Sequence, residues 1–178
     1  MRKIVYYSLL VMALGFFSCE EHPKVVEQKK PRIFPEYSEA LDEIIRSKDG
    51  VIRGVDLNSK ADVITKTETK QPSEVAHDYL YFEYTIDSIT NYSVAYNLQK
   101  DSLDEVEVQI NCNDLDLSSH LFNDLKTYYE KKLPNPTEDK GFVVYNCFEG
   151  QRKPFVVSLT DNSTPNMGII NLVIYKDK

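Results

Sequence analysis

Residues able to carry chemistry are few and widely spaced. The histidines are His22, His77 and His120, and no two share a metal-ligand spacing. There is no HExxH, no CxxC and no phosphate loop. A Ser–His–Asp triad assembles in space rather than along a chain, so spacing leaves that arrangement open. His77, just ahead of a predicted strand, and His120, in a first helical turn, read as surface or capping residues rather than as a base. The paired carboxylates Asp114/Asp116 and Glu105/Glu107 fall in loops or on wet strand faces. They read as solvated acidic surface, with an oxygen-rich calcium loop as the alternative. No catalytic residue, metal or cofactor is assigned.

Composition narrows the classes further. The 178 residues are 42% hydrophobic, enough for the core of one domain, and the formal charge is −7. Nothing in that balance supplies a phosphate-neutralising face, so nucleic acid is not an expected partner. At the N-terminus, Arg2 and Lys3 precede an apolar run over 4–17, followed by Ser18-Cys19. Fourteen helical residues reach only about 21 Å, short of the roughly 30 Å of a hydrocarbon core, so the segment reads as a signal peptide and not a span.

The cysteine in that place resembles the processing site of bacterial lipoproteins. The resemblance implies that residues 1–18 are removed and that Cys19 is lipidated, tying the chain to the membrane, with palmitate as one of its acyl chains. The cleavage box usually reads Leu-Ala-Gly/Ser-Cys; Phe16-Phe17-Ser18-Cys19 keeps the small residue at −1 and departs at −2 and −3. Loss of Arg2 and Lys3 takes the formal charge from −7 to −9. Glu20-Glu21 resembles the acidic export signal of surface lipoproteins in some Gram-negative anaerobes. The expected location is therefore the outer membrane of a Gram-negative bacterium, facing the periplasm or the cell surface.

Residues 19–36, with three prolines, read as the lipidated cysteine and a flexible tether, leaving 37–178 as a single domain. Helical spacing over 38–47 groups Leu41, Ile44 and Ile45, with Ser38 as N-cap. A second helix is expected over 59–68, opened by Ser59-Lys60-Ala61-Asp62. Strict alternation then predicts strands over 79–86, 92–98 and 105–112, each with one wet face. A helix over 118–132 presents Leu121, Leu125 and Tyr128, and strands follow at about 142–148, 154–160 and 168–175. The expected fold class is α+β: a mainly antiparallel six-stranded sheet with helices on one face, in the order α-α-β-β-β-α-β-β-β. The order suggests a helix-plus-meander unit used twice, over 59–112 and 118–175. Strands 105–112 and 142–148 either lie parallel through a right-handed crossover or belong to opposite ends of the sheet.

That choice decides Cys112 and Cys147. If the two strands are parallel neighbours, their ends coincide and a disulfide is sterically feasible in an oxidising envelope. Otherwise the two are small buried hydrophobes. Twelve tyrosines and no tryptophan make the aromatic supply unusual. Tyr79, Tyr81 and Tyr145 read as lying opposite the main apolar sets of their strands, either as a recognition patch or as cross-strand packing.

Arg53, Gly54, Ser59, Val63 and Glu68, within IRGVDLNSKADVITKTE over 52–68, resemble the N-terminal helix region of small envelope lipoproteins of the BamE/SmpA type and of β-lactamase-inhibitor-protein-like domains. In those, Arg-Gly precedes a small-residue turn and a helix that ends in Glu. Asn58 stands where an αL-tolerant residue is usual. The resemblance implies a non-enzymatic interaction domain and carries over no binding residue. Asp87-Ser88-Ile89 and Asp101-Ser102-Leu103 resemble a short O-glycosylation motif, which makes Ser88 and Ser102 candidate modification sites in turns. The expected function is a lipid-anchored, non-catalytic module for protein binding or envelope assembly, its partner another envelope or secreted protein. The alternative is an inhibitor or immunity-type lipoprotein that binds a secreted enzyme or toxin. An enzyme is the third class, for which no catalytic constellation speaks.

Overall fold

Period-2 apolar patterning forces extended chain wherever one face must be buried, and it does so here through most of residues 79–176. The computed structural model describes residues 31–133, 135–147 and 154–177. The segment expected to be a signal peptide, Cys19, and the expected tether as far as residue 30 lie outside the described residues, as does the Cys147 side chain. The helices are α1 (Glu39–Ile45), α2 (Ala61–Thr67) and α3 (Leu115–Lys132). The strands are β1 (Glu74–Ala76), β2 (Tyr79–Thr85), β3 (Thr90–Gln99), β4 (Ser102–Cys112), β5 (Thr137–Asp139), β6 (Phe142–Cys147), β7 (Phe155–Asp161) and β8 (Gly168–Lys176).

The class is α+β with an antiparallel sheet and three helices, but the sheet has eight strands rather than six. β1 and β5, three residues each and exposed throughout, are the additions. The order is therefore α-α-β-β-β-β-α-β-β-β-β. The strands lie as β1-β2-β3-β4-β8-β7-β6-β5, so two four-stranded meanders meet where β4 pairs with β8. Each meander follows a helix, as the doubled unit predicts.

Tight turns fix the registers. Lys100 and Asp101 both have positive φ (53° and 60°), giving β3–β4 a two-residue hairpin loop whose twist matches its strands. Lys140 and Gly141 do the same for β5–β6, at φ 47° and 82°.

Some local expectations hold and others change. Ser38 caps α1 by accepting from the Leu41 N–H at 3.4 Å. Ser59 does not cap α2: its Oγ accepts from the Asp56 N–H, and Lys60 holds the N-cap position without a side-chain bond. Asp114 is the N-cap of α3, accepting from the Leu117 N–H at 3.0 Å. Residues 31–36, placed in the tether, join the fold. Phe34 is 4% exposed, and Arg32 Nε donates to Asp42 Oδ2 at 2.9 Å. Asn58 adopts φ 75°, the left-handed conformation its position requires.

The arrangement that a Cys112–Cys147 bridge needs is absent. β8 and β7 lie between β4 and β6, three inter-strand spacings or about 14 Å. The strands are not parallel either. Cys112 pairs with Gly168 at the start of β8, whereas Cys147 pairs with Phe155, which pairs with Lys176 at its end. Cα atoms so far apart cannot be joined without moving the backbone. Cys112 is a free, buried thiol, 3.5 Å from Thr90 Oγ1.

The core lies between the helices and one sheet face. Leu121, Leu125, Tyr128 and Tyr129 of α3 meet Val106, Val108, Ile110, Ile170, Leu172 and Ile174. At Gly168 the helix and sheet approach closely: a Cβ there would stand 2.2 Å from the Ser118 side chain. Gly168→Ala should therefore destabilise by about 1–3 kcal/mol through overpacking. Pairing it with Ser118→Gly should recover most of that loss in urea denaturation. A double variant no better than the single one would place the strain elsewhere.

Candidate functional site

Two features stand out, one buried and one exposed. The buried one starts at Ile52–Val55, a two-residue reversal in which Arg53 (φ 54°) and Gly54 (φ 79°) both take left-handed backbone. That reversal turns the Arg53 side chain inward, where it is 3% exposed. Its Nε and Nη2 donate to Glu68 Oε1 and Oε2, both at 2.8 Å, in a bidentate pair. Its Nη1 donates to the carbonyls of Glu43 and Ile44 at 3.0 and 2.9 Å.

Glu68, at the C-cap of α2, also accepts from Arg46 Nη1 at 2.8 Å, from the Tyr84 hydroxyl at 2.6 Å and from the Tyr96 hydroxyl. Tyr92 accepts from Arg53 Nη1 and donates to the Glu43 carbonyl. The Tyr84 and Tyr92 rings stack at 4.8 Å, with the Arg53 guanidinium 4.7 and 5.5 Å from their centroids.

The chemistry of this cluster follows from its saturation. Burial alone would push the Glu68 carboxyl up, but the hydrogen bond and charge of Arg53, with the two tyrosine hydroxyls, outweigh it. The carboxyl is held at about 2 instead of the usual 4.5. Burial alone would lower the Arg53 value; the Glu68 carboxylate more than reverses that and raises it. A carboxylate this acidic, receiving five donors, has no capacity left to act as a base near neutrality. The cluster pins α1, the 52–55 turn and α2 onto β2 and β3. Arg53 and Glu68, picked out in the sequence only as matches to a family pattern, are thus partners. Inward alternation of Tyr84, Tyr92 and Tyr96 was the accessible hint that polar tips converge there.

The exposed feature is the β1–β4 part of the sheet face away from the helices. Register puts Glu74, Tyr79, Tyr81 and Glu83 of β1–β2 on it, with Ser93, Ala95 and Asn97 of β3 and Glu105, Glu107 and Gln109 of β4. Tyr79 and Tyr81 stack, with centroids 5.9 Å apart and planes 18° from parallel. Both are half-buried, and Tyr81 lines a depression of about 380 Å³ together with Glu83, Ser93, Gln109 and Asn111 among others.

Tyr145 is not with them. It points into the core, fully buried, and its hydroxyl donates to the Lys126 carbonyl at 3.1 Å. Ser88 lies exposed in the β2–β3 loop, where Asp87 Oδ1 accepts from the Ile89 and Thr90 N–H groups. Ser102 is paired with Gln99 inside β4 rather than in a turn. His77 is exposed between β1 and β2; His120 is exposed on α3, 3.9 Å from Asp124. Among the described residues, no group of three or more His, Cys, Asp or Glu side chains is placed to hold a metal ion. Among them, too, no helix is long and apolar enough to cross a membrane.

The features define an α+β domain with helices on one sheet face and the β1–β4 part of the other face open, Val156 and Ser158 of β7 being buried on that second face. No family model, curated protein or solved structure matches the chain.

Proposed function

We propose that the chain is a lipid-anchored envelope protein of a Gram-negative outer membrane, held there through Cys19, and that its domain binds another protein without catalysis. The observation that carries this reading is the open sheet face: a rigid, hydrogen-bonded surface that presents stacked, half-exposed tyrosines. Tyr combines a broad ring with a polar tip and is enriched at interfaces for that reason. The pattern Arg53-Gly54…Glu68 supports the kinship with BamE/SmpA-type or inhibitor-protein-like domains, since its two charged members act together in the fold. The compact acidic domain favours the second form of the reading, an inhibitor or immunity-type binder of a secreted enzyme or toxin.

Two measurements test it. Metabolic palmitate labelling should mark the wild type and be lost in Cys19→Ala; label persisting in the variant would overturn the anchor. A photo-crosslinking residue at position 81 should trap a protein partner in intact cells, whereas one at Ser119, exposed on α3, should not. Equal trapping from both positions, or none from 81, would overturn the binding face.

A further inference from the structure

The open face is not electrically neutral. From β1 to β4 it carries Glu74, Glu83, Glu105 and Glu107, and the register places no Lys, Arg or His on that face of any of the eight strands. Among the described residues none of these four carboxylates is ion-paired; Glu105 only accepts from Asn97 Nδ2 at 2.8 Å. The layout is also directional. Tyr81 pairs with Ala95 and Ala95 with Glu107, while Tyr79 pairs with Asn97 and Asn97 with Glu105. Two ring-bearing positions thus face two carboxylates across a floor of small or short side chains on β3.

On the helix side of the domain, lysines of the chain itself lie over tyrosine rings at the edge of the core. Lys131 lies 4.8 Å from the Tyr37 ring centre, Lys132 4.6 Å from that of Tyr128, and Lys70 4.6 Å from that of Tyr84. Among the described residues no cation of the chain covers Tyr79 or Tyr81. The Tyr79 hydroxyl is pushed up by burial first and then by Glu74, Tyr81, Glu107 and Glu83, which places those carboxylates within electrostatic reach of the pair.

We propose that this face docks a basic segment of a partner protein, its arginine or lysine heads lying over Tyr79 and Tyr81 and paired with Glu83, Glu105 and Glu107. The inference deepens the protein-binding reading and rests on it. A second copy of the chain is a poor occupant, because its own open face brings the same charges. Rings beside carboxylates suit a guanidinium or ammonium through two attractions at once, to the ring quadrupole and to the counter-charge.

The test uses the full chain in detergent and a labelled twelve-residue peptide of alternating Arg and Ser, with a Glu-for-Arg peptide as control. Binding to the basic peptide should fall about tenfold in Glu83→Gln/Glu107→Gln and severalfold in Tyr81→Leu, as expected for losing desolvated charge pairs and a cation–ring contact. Asp49→Asn/Asp116→Asn, which removes two exposed carboxylates elsewhere, should leave it within about twofold, the scale of a screened surface charge. Circular dichroism confirms that each variant is folded. Equal weakening by both double variants would reduce the effect to net charge and overturn the proposal, as would an unaffected Tyr81→Leu or binding of the acidic peptide. If position 81 still crosslinks a partner while the face variants change nothing, the basic-segment inference falls and the protein-binding reading stands.

Discussion

Glu68→Gln is expected to cost the domain about 3–5 kcal/mol, because it leaves the Arg53 guanidinium buried and without its counter-charge. The amide also turns one donor toward Arg53, Tyr84 and Tyr96, all of which donate to the carboxylate in the wild type. For a folded unit of this size, the loss corresponds to a drop in Tm of roughly 10–15 °C.

The same pair sets an acid limb. The folded-state carboxyl lies at about 2 against a usual 4.5, so its contribution is complete above the unfolded value. It is lost as pH falls from about 5 toward 2, and amounts to about 3 kcal/mol. Urea midpoints measured across that range should slope in the wild type and flatten in Glu68→Gln. A variant within about 1 kcal/mol of wild type at pH 7 would mean that the pair contributes nothing net.

Leu125→Ala is expected to cost about 2–5 kcal/mol, the range for a fully buried leucine whose surroundings cannot close over the gap. Leu125 is 0% exposed, one turn from Leu121 and from Tyr129 on the buried side of α3. Its neighbours are held by the sheet behind them, which limits relaxation. Phe122, only partly buried beside the same core, should cost less on truncation. Urea denaturation of both variants with an unchanged m-value checks the ranking; a Phe122→Ala loss above that of Leu125→Ala would mean that the helix seats differently.

The buried face of α3 was legible because Leu121, Leu125, Tyr128 and Tyr129 repeat at helical spacing over more than two turns. β2, β3, β4 and β8 were legible for a similar reason, since alternation such as Leu80, Phe82 and Tyr84 against Tyr79, Tyr81 and Glu83 fits a one-sided sheet, whereas β6 and β7 showed only as short apolar runs. β1 and β5 carried no such signal. Three exposed residues bury nothing, so no apolar period marks them. Tyr145 went to the wrong face because Phe142-Val143-Val144-Tyr145 is a continuous apolar run, which conceals parity.

The order of strands was beyond reach for another reason. Where alternation is strict it reveals which face a strand buries, but not which neighbour it takes. That is why the pairing of β4 with β8, and with it the separation of Cys112 from Cys147, emerges only in three dimensions. Arg53 and Glu68 were missed as a pair because two charged residues fifteen apart look like surface until a left-handed turn carries one of them inward.

The seam between β4 and β8 has a kinetic consequence. It joins Glu105 to Tyr175 and Cys112 to Gly168, residues much farther apart along the chain than any two that a hairpin brings together. Each meander closes through short loops, so its strands can find one another quickly. The seam must wait for the whole second half of the chain to be present and ordered. In a chain exported as proposed, β4 emerges from the inner membrane before β8 and remains an open edge until β8 follows it. Until then its unpaired backbone is open to mispairing or to an envelope chaperone.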